Sequence, residues 1–363
     1  MKRIVLVGGG HSHLHCVKNL KTTKQLDIEW VLVSSSRYQY YSGMFSGFVE
    51  GLYEESDIRI DLLQLSKWVG IQFKEETISS VDPINNTLYS ASGQTISYDY
   101  VSFDIGSLNI NPNIPNLANN SIAVKPNHLF PKHINDLRDS KHPVIVGGGA
   151  SGIEIALSLL AWKKKYTPND SEVTLVHSSP LLHSAGERSS KIITELAYKS
   201  GLNVVSDESI TTVTKENLIT QKGNRISYSH LIYLGGPQAS PLFRNSSLPT
   251  DSSGYMLVKS TLQNIRYPHI FGAGDCISIE SDPNIPKNGV TAVRQGPLLW
   301  RNLNRILQKK DLLEYQPQRN YLALISIGNH HAMLTYSTFA ISGKWTWYVK
   351  NWIDRRFMNK FQS

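Results

Sequence analysis

Residues Pro143 to Leu160 read PVIVGGGASGIEIALSLL, an apolar strand, a glycine turn and an apolar helix in eighteen residues. Gly147, Gly149 and Gly152 fit G-x-G-x-x-G with a strand before and a helix after, the context that makes this pattern a dinucleotide-binding fingerprint. Gly147 allows the tight turn, Gly149 lets a pyrophosphate approach the backbone, and Gly152 lets helix and strand pack closely. The helix N-terminus beyond supplies unpaired N–H groups and a positive dipole end for phosphates. The start of the chain, KRIVLVGGGHSHLHCVKNL, repeats the pattern imperfectly. Gly8 and Gly10 are in place, but His13 stands at the third glycine position and must change helix-strand packing there. Two such units point to two nucleotides.

The 363 residues leave room for two or three domains, and the 40% apolar content is that of a globular protein. No apolar run approaches the roughly 18 to 20 residues of a spanning helix, and the apolar start Ile4 to Val7 runs into glycines rather than into a signal peptide. The only two cysteines, Cys16 and Cys276, form no C-x-x-C or zinc spacing. Export, a disulfide framework, a structural metal and a redox-active cysteine pair are therefore not expected. The net charge of +8 is concentrated at the end: from Lys287 onward twelve Lys and Arg face three acids. Such a tail reads either as a solvated basic face or as a surface for an anionic partner, a membrane or a polyanion; a nucleic-acid partner is not expected.

In chain order, Arg3 to Val7 reads as a buried parallel strand, His13 to Leu20 as the helix after the turn, and Glu29 to Val33 as the next strand. The acid that would hold a ribose hydroxyl is replaced there by Ser34, Ser35 and Ser36. RYQYYSGMFSGFVEG, residues 37 to 51, reads as a loop, either packed or, through Tyr40, Tyr41 and Met44, set against a flat ring. Short alternating strands with a turn at Ser92-Gly93 follow, and FDIGS closes the first unit at Gly106. Asn109 to Asn127, with prolines at 112, 115 and 126, reads as a linker. In the second unit the strand Glu172 to Val176 ends in His177, Ser178 and Ser179, again without an acid. That is unfavourable for NADH and acceptable for NADPH, with Arg188 as a 2′-phosphate partner. PHIFGAGDC then places Asp275 at a glycine turn, Gly274, where the main chain approaches a ligand closely; alone, such an Asp also reads as a helix cap.

These glycine motifs, in this order, resemble the two-dinucleotide-binding flavoproteins, and that resemblance implies FAD, with Asp275 on its ribityl chain, and NAD(P)H. VGGGHSH, RYQYYSGM, FDIGS, VKP at Val124 to Pro126, PKNGVTAVRQGPLLWRNL and NWIDRRFM together resemble the NADH-dehydrogenase-like flavoprotein module that in some bacteria is fused ahead of selenide, water dikinase. More broadly the chain is similar to type II NADH:quinone oxidoreductases, and its PKNG piece to sulfide:quinone reductases. The resemblance implies a Glu, here Glu154, near the flavin-nicotinamide contact, where the residue alone also reads as a helix-start carboxylate. Lys287 and the helix opening near Gly289 would stabilise charge on the reduced flavin or form an exposed loop. Gln295 and Trp300 match the stretch bordering the quinone tunnel of the type II enzymes, or belong to the core with Val290, Val293 and Leu298.

The expected fold is α/β, with two Rossmann-like dinucleotide-binding domains and a small C-terminal α+β region. Residues 1–115 and 251–308 form the FAD domain, 116–250 the NAD(P) domain, and 309–363 the C-terminal region. In Gly343 to Ser363, Trp345, Tyr348, Val349, Trp352, Ile353, Phe357 and Phe361 fall on one helical side and Lys350, Arg355 and Lys360 mostly on the other. That pattern suits an interfacial membrane helix or one packed on the body of the protein. The expected function is an FAD-dependent NAD(P)H dehydrogenase with a quinone or other small acceptor, without a cysteine relay, in the cytoplasm or at the cytoplasmic face of the membrane. The alternatives are a flavoprotein with weak nicotinamide binding, serving redox sensing or selenium metabolism, and a sulfide:quinone reductase. A homodimer is compatible with the sequence.

Overall fold

The computed structural model describes residues 1–21, 27–109, 113–318 and 320–361. The chain divides into two compact units, Met1–Gln39 with Ile60–Leu108 and Pro237–Gln318, and Tyr40–Arg59 with Asn109–Gly236 and Arg319–Ser363. The aromatic-glycine segment and the C-terminal region both fall in the second unit.

The first unit is built on a five-stranded parallel sheet in the order Ile270–Gly272, Tyr100–Phe103, Lys2–Val7, Ile28–Ser34, Gln72–Glu75. Its central strands are continuous apolar runs because both faces are covered: Ile4, Val5, Leu6, Val31, Leu32 and Val33 are all buried. The helix His11–Leu20 starts two residues earlier than its apolar pattern suggested and packs on the long helix Gly289–Leu307. That contact is close: a Cβ on Gly296 would lie 2.9 Å from the Cβ of His15. The strands predicted after Ile71 form an antiparallel sheet of Ile78–Asp82, Thr87–Ser90 and Thr95–Ser97, with Gly93 at a φ of +86° in the turn.

The second unit repeats the plan with the parallel order Ser121–Ile122, His230–Tyr233, Pro143–Val146, Thr174–His177, Asn203–Ser206. The stretch read as a linker therefore contains an edge strand, since Ser121 and Ile122 pair with Leu231 and Ile232; Ile110 to Pro112 of that stretch lie outside the described residues. The helix Ala150–Tyr166 is apolar nearly all round because it is covered on several sides, including by the short helix Phe45–Glu50. Residues 45–50 are thus helical rather than a loop: Met44, Phe45, Phe48 and Val49 have enough apolar surface to bury, and Phe45 meets Phe130 at 5.0 Å between ring centroids.

A three-stranded antiparallel sheet, Ala323–Ser326, Ala332–Tyr336 and Phe339–Gly343, leads into the tail helix Lys344–Met358. The face assignment from sequence needs correcting here. Lys350 is buried, not solvated, because Asp354 one turn on accepts its ammonium at 2.8 Å, and of the aromatic residues Phe361 is buried. Trp345, Tyr348 and Trp352 do face outward, at 52%, 62% and 58% exposure.

The core of the first unit gives a direct test. Phe243 is fully buried with its ring edge-on to Phe103 at 5.4 Å, so Phe243→Ala should cost about 3–5 kcal/mol. Denaturant unfolding followed by tryptophan fluorescence should show the loss, and an unchanged midpoint would contradict the packing.

Candidate active site

In the first unit the glycine turn is sterically obligatory. Gly8 has a φ of +97°, and a Cβ there would lie 2.2 Å from the carbonyl oxygen of Asp104; one on Gly10 would lie 2.2 Å from the Asp104 carboxyl carbon. Gly10 caps the helix His11–Leu20 without a side chain of its own. Asp104, which the sequence reading did not single out, accepts the N–H groups of Ser12 at 2.8 Å and His13 at 3.1 Å. His13 fits the third glycine position because its ring is wholly interior. Nδ1 lies 2.7 Å from the Gly8 carbonyl and must donate to it, leaving Nε2 to accept the Ser102 hydroxyl at 2.9 Å. Burial drives its pKa down to about 4, so the ring is neutral.

At the end of the second strand Ser34 is buried and Ser35 is exposed. The sheet register sets Ser34 beside Glu75, whose carboxylate accepts the N–H of Arg37 at 3.1 Å. A carboxylate therefore does stand at this strand end, supplied by the neighbouring strand. The sequence did not mark it, because its place depends on the pairing of Gln72–Glu75 with Ile28–Ser34.

The late turn converges on the same place. Gly106 closes FDIGS at a φ of +71°, and Gly274 takes a φ of +73°, where a Cβ would lie 2.4 Å from Oδ1 of Asp104. Gln295, expected beside an acceptor, is buried and accepts the Gly274 N–H at 2.6 Å, so it fixes the turn itself. Asp275 accepts the Ser107 hydroxyl at 3.4 Å. Lys287 is not an exposed loop lysine. Burial pulls its pKa down, its ammonium donates to the Ile277 carbonyl, and it lies 4.6 Å over the Tyr255 ring. The helix Gly289–Leu307 begins beside His11, with Asn288 accepting the Thr291 N–H, so two helix N-termini meet at the glycine turns. Trp300 packs against Trp30, ring centroids 5.8 Å apart, while Val290 and Val293 are exposed and only Leu298 is core. Both thiols are buried, and burial raises the pKa of each, so neither forms a ready thiolate.

In the second unit Gly147 has a φ of +132°, with a Cβ 2.5 Å from the Leu234 carbonyl oxygen, and a Cβ on Gly152 would lie 2.0 Å from the Gly147 oxygen. Around Gly149 there is open space. His177 is buried, its Nδ1 donating to the Ser179 carbonyl at 2.7 Å and its Nε2 meeting the Ser206 hydroxyl at 3.1 Å. Its ring is thereby used inside the fold, and the exposed polar groups that follow it in sequence are Ser178, Ser179, His183, Ser184, Glu187 and Arg188. Glu154 does not cap its own helix: its Oε1 accepts the Ser326 N–H at 2.8 Å and the Ser46 hydroxyl at 3.4 Å. Burial raises its pKa against the opposing charge of Lys350. Tyr41 donates to Asp354 Oδ1 at 3.0 Å, and its ring stacks on Phe357 at 4.7 Å. Half-buried Glu154 and Tyr41 thus join the buried Lys350 and Asp354 in one set of ionisable groups, of which sequence reading had found Glu154 and Tyr41.

The two fingerprint positions of the second unit should respond oppositely to one substitution. Gly152→Val forces a Cβ into the Gly147 carbonyl and should prevent stable folding, whereas Gly149→Val enters open space and should leave the unfolding midpoint within about 1 kcal/mol of wild type. Equal destabilisation of both variants would refute the geometry.

The residues present fit bound dinucleotides, since each turn brings backbone N–H groups and a helix N-terminus to a cradle that any Cβ at its glycines would fill or border. The chain is 23% identical to the type II NADH:quinone oxidoreductase of Haemophilus influenzae, over 92% of this chain and 86% of that protein. Its fold matches the NDH2 structure from Plasmodium falciparum in complex with NADH with a TM-score of 0.85 at 15% identity, covering 99% and 97% of the two chains. It also matches the sulfide:quinone oxidoreductase of Aquifex aeolicus with a TM-score of 0.83 at 22% identity, covering 100% and 92%. The sequence pattern of the family described as pyridine nucleotide-disulphide oxidoreductase matches residues 2–296. The chain belongs to that family and is an FAD-dependent oxidoreductase that takes its electrons from NAD(P)H.

Proposed function

We propose that the electrons pass to a quinone at a membrane surface. The observation that carries this reading is the outward aromatic face of the tail helix, Trp345, Tyr348 and Trp352, with Tyr336, Phe339 and Ile341 exposed on the strands before it. Lys344, Arg355, Arg356 and Lys360 are exposed along the same stretch. Aromatic and basic groups together suit the interface of an anionic bilayer. Among the described residues no helix is long and apolar enough to cross a membrane, so the contact is peripheral. The similarity to quinone-reducing relatives supports the acceptor class.

Bound flavin supplies the hydride-accepting chemistry, and the side chains orient and tune it. In the first unit the turn at Gly8 and Gly10 and the two helix N-termini receive the pyrophosphate, Ser35 and Glu75 the ribose, and Asp275 the ribityl hydroxyls. Lys287, held with its charge turned inward, contributes through the field at the late turn. In the second unit Gly147, Gly149 and Gly152 receive the nicotinamide dinucleotide, and the strand itself ends in His177 rather than in an acid that would repel a 2′-phosphate, with Arg188 the next arginine along the chain. Glu154, half-buried and with its affinity for protons raised, would exchange a proton with the acceptor at its carboxyl oxygens. Sulfide oxidation is disfavoured because both thiols are buried and un-ionised.

NADPH should reduce the flavin at least as fast as NADH in stopped-flow mixing, and Gly149→Val should abolish reduction by either while flavin stays bound. A strong preference for NADH, or full reduction in the variant, would overturn the nucleotide assignment.

Membrane docking is best tested by surface substitution, because truncation would remove the buried Trp347 and the Lys350–Asp354 pair. Trp345→Ser with Trp352→Ser should release the protein from anionic liposomes and leave flavin reduction intact. Basic side chains contribute about 1 kcal/mol each near such a surface, so wild-type binding should also weaken as salt rises. Undiminished liposome binding by the double variant would remove the membrane reading.

A further inference from the structure

Asp104 is a carboxyl group enclosed at the point where the two glycine turns of the first unit meet. It is 3% exposed, with hypothetical Cβ atoms on Gly10 and Gly274 falling 2.2 to 2.4 Å from its carboxyl atoms. It takes two N–H groups of the first turn of the helix His11–Leu20, the helix end toward which a dinucleotide phosphate is drawn.

Among the described residues, no salt-bridge partner is seen for its carboxylate. On the first helix His11 and His13 are both driven to a pKa of about 4 by burial and are neutral near pH 7, and the buried Cys16 is a thiol. On the late turn Cys276 is likewise a thiol, and Asp275 adds charge of the same sign. The long helix contributes the neutral Gln295 to that turn. Lys287 spends its ammonium on the Ile277 carbonyl and the Tyr255 ring, and what lowers the Asp104 pKa is the pair of main-chain N–H groups of His13 and Ser12. Burial, set against the N–H groups of His13 and Ser12, leaves its pKa up at about 7.

We propose that Asp104 couples flavin binding to the uptake of one proton, its neutral carboxyl being the form that accepts the cofactor. This rests on the FAD assignment of the first unit. A pyrophosphate brings further negative charge to a helix end already given to a buried carboxylate, and like charges there favour protonation. The proton comes from solvent and adds to one carboxyl oxygen without any other bond changing. The other oxygen continues to accept the Ser12 and His13 N–H groups, and the new O–H becomes a donor where a charge had repelled. Linkage fixes the sign: affinity is constant below the pKa of the flavin-free protein, near 7, and falls above it by up to about tenfold per pH unit.

Equilibrium dialysis of FAD against the full chain, from about pH 5.5 to about pH 8.5, reads this directly from flavin fluorescence. Wild type should lose affinity above neutrality, and Asp104→Asn, which keeps an oxygen acceptor for the two N–H groups, should bind tightly with a flat profile. A wild-type slope retained in the variant, or no slope in wild type, overturns the proposal. Absence of FAD binding at every pH would instead overturn the flavin assignment. If the variant does not fold, calorimetry of the wild type in two buffers of different ionisation enthalpy decides the matter. Uptake approaching one proton per flavin above neutrality supports the proposal, and no uptake refutes it.

Discussion

Backbone approaching backbone closer than any side chain allows is the constraint on which both units depend. A Cβ on Gly152 would lie 2.0 Å from the Gly147 oxygen, and one on Gly8 would lie 2.2 Å from the Asp104 oxygen. Real Cβ atoms do not come that near, so the helix start is pinned to the strand end only while these positions remain glycine. The N–H groups of the first helical turn then emerge at the carboxyl edge of the parallel sheet, where ligands of such folds bind. The continuous apolar strands behind each turn, Ile4 to Val7 and Pro143 to Val146, hold the turn on a rigid base.

This constraint is local, which is why it was legible in the sequence. The α/β class and the two nucleotide turns follow from glycine spacing and apolar runs, and the family match agrees with that reading. What was not legible depends on register and on distant segments. Glu75 reaches the end of the second strand only because Ser34 pairs with it. Glu154 finds Ser326, 172 residues away, and no helix pattern could tell that its carboxylate turns from its own N-terminus to another segment. Ser121 and Ile122 looked like linker because a two-residue edge strand has no period to detect. His13 read as an intrusion into helix-strand packing; the Gly8 carbonyl and the Ser102 hydroxyl make the same ring a fitted part of it.

The tail helix shows how a face assignment from spacing alone goes astray. A lysine among aromatics reads as the polar side, yet Lys350 is inside. Burial lowers its pKa, but Asp354, at 2.8 Å, and Glu154 outweigh that and leave it raised, so it is charged. Breaking a buried pair by removing one partner typically costs about 3–5 kcal/mol, because the remaining charge has no solvent to turn to. The pair therefore commits one face of the helix to the fold, together with Trp347 and Met358, and Trp345, Tyr348 and Trp352 are left outward. Packing and exposure are not alternatives for this segment. Each face does one of them.

Half-buried Glu154 and buried Asp104 follow from the same electrostatics with different outcomes. Glu154 and Asp104 both have pKa values raised first by burial. Glu154 has Lys350 to oppose that rise, and Lys350 is itself held by Asp354, so the charge balance near Glu154 is set by side chains that belong to the tail helix. Asp104 has the main-chain N–H groups of Ser12 and His13 to oppose it, and these are the groups that favour any anion at a helix start. The proton affinity of Glu154 is therefore tied to the packing of the tail, whereas that of Asp104 is tied to whatever anion shares its helix end. A protein whose reaction moves hydride and protons thus keeps one acid, Glu154, under the control of its fold and another, Asp104, under the control of its ligand.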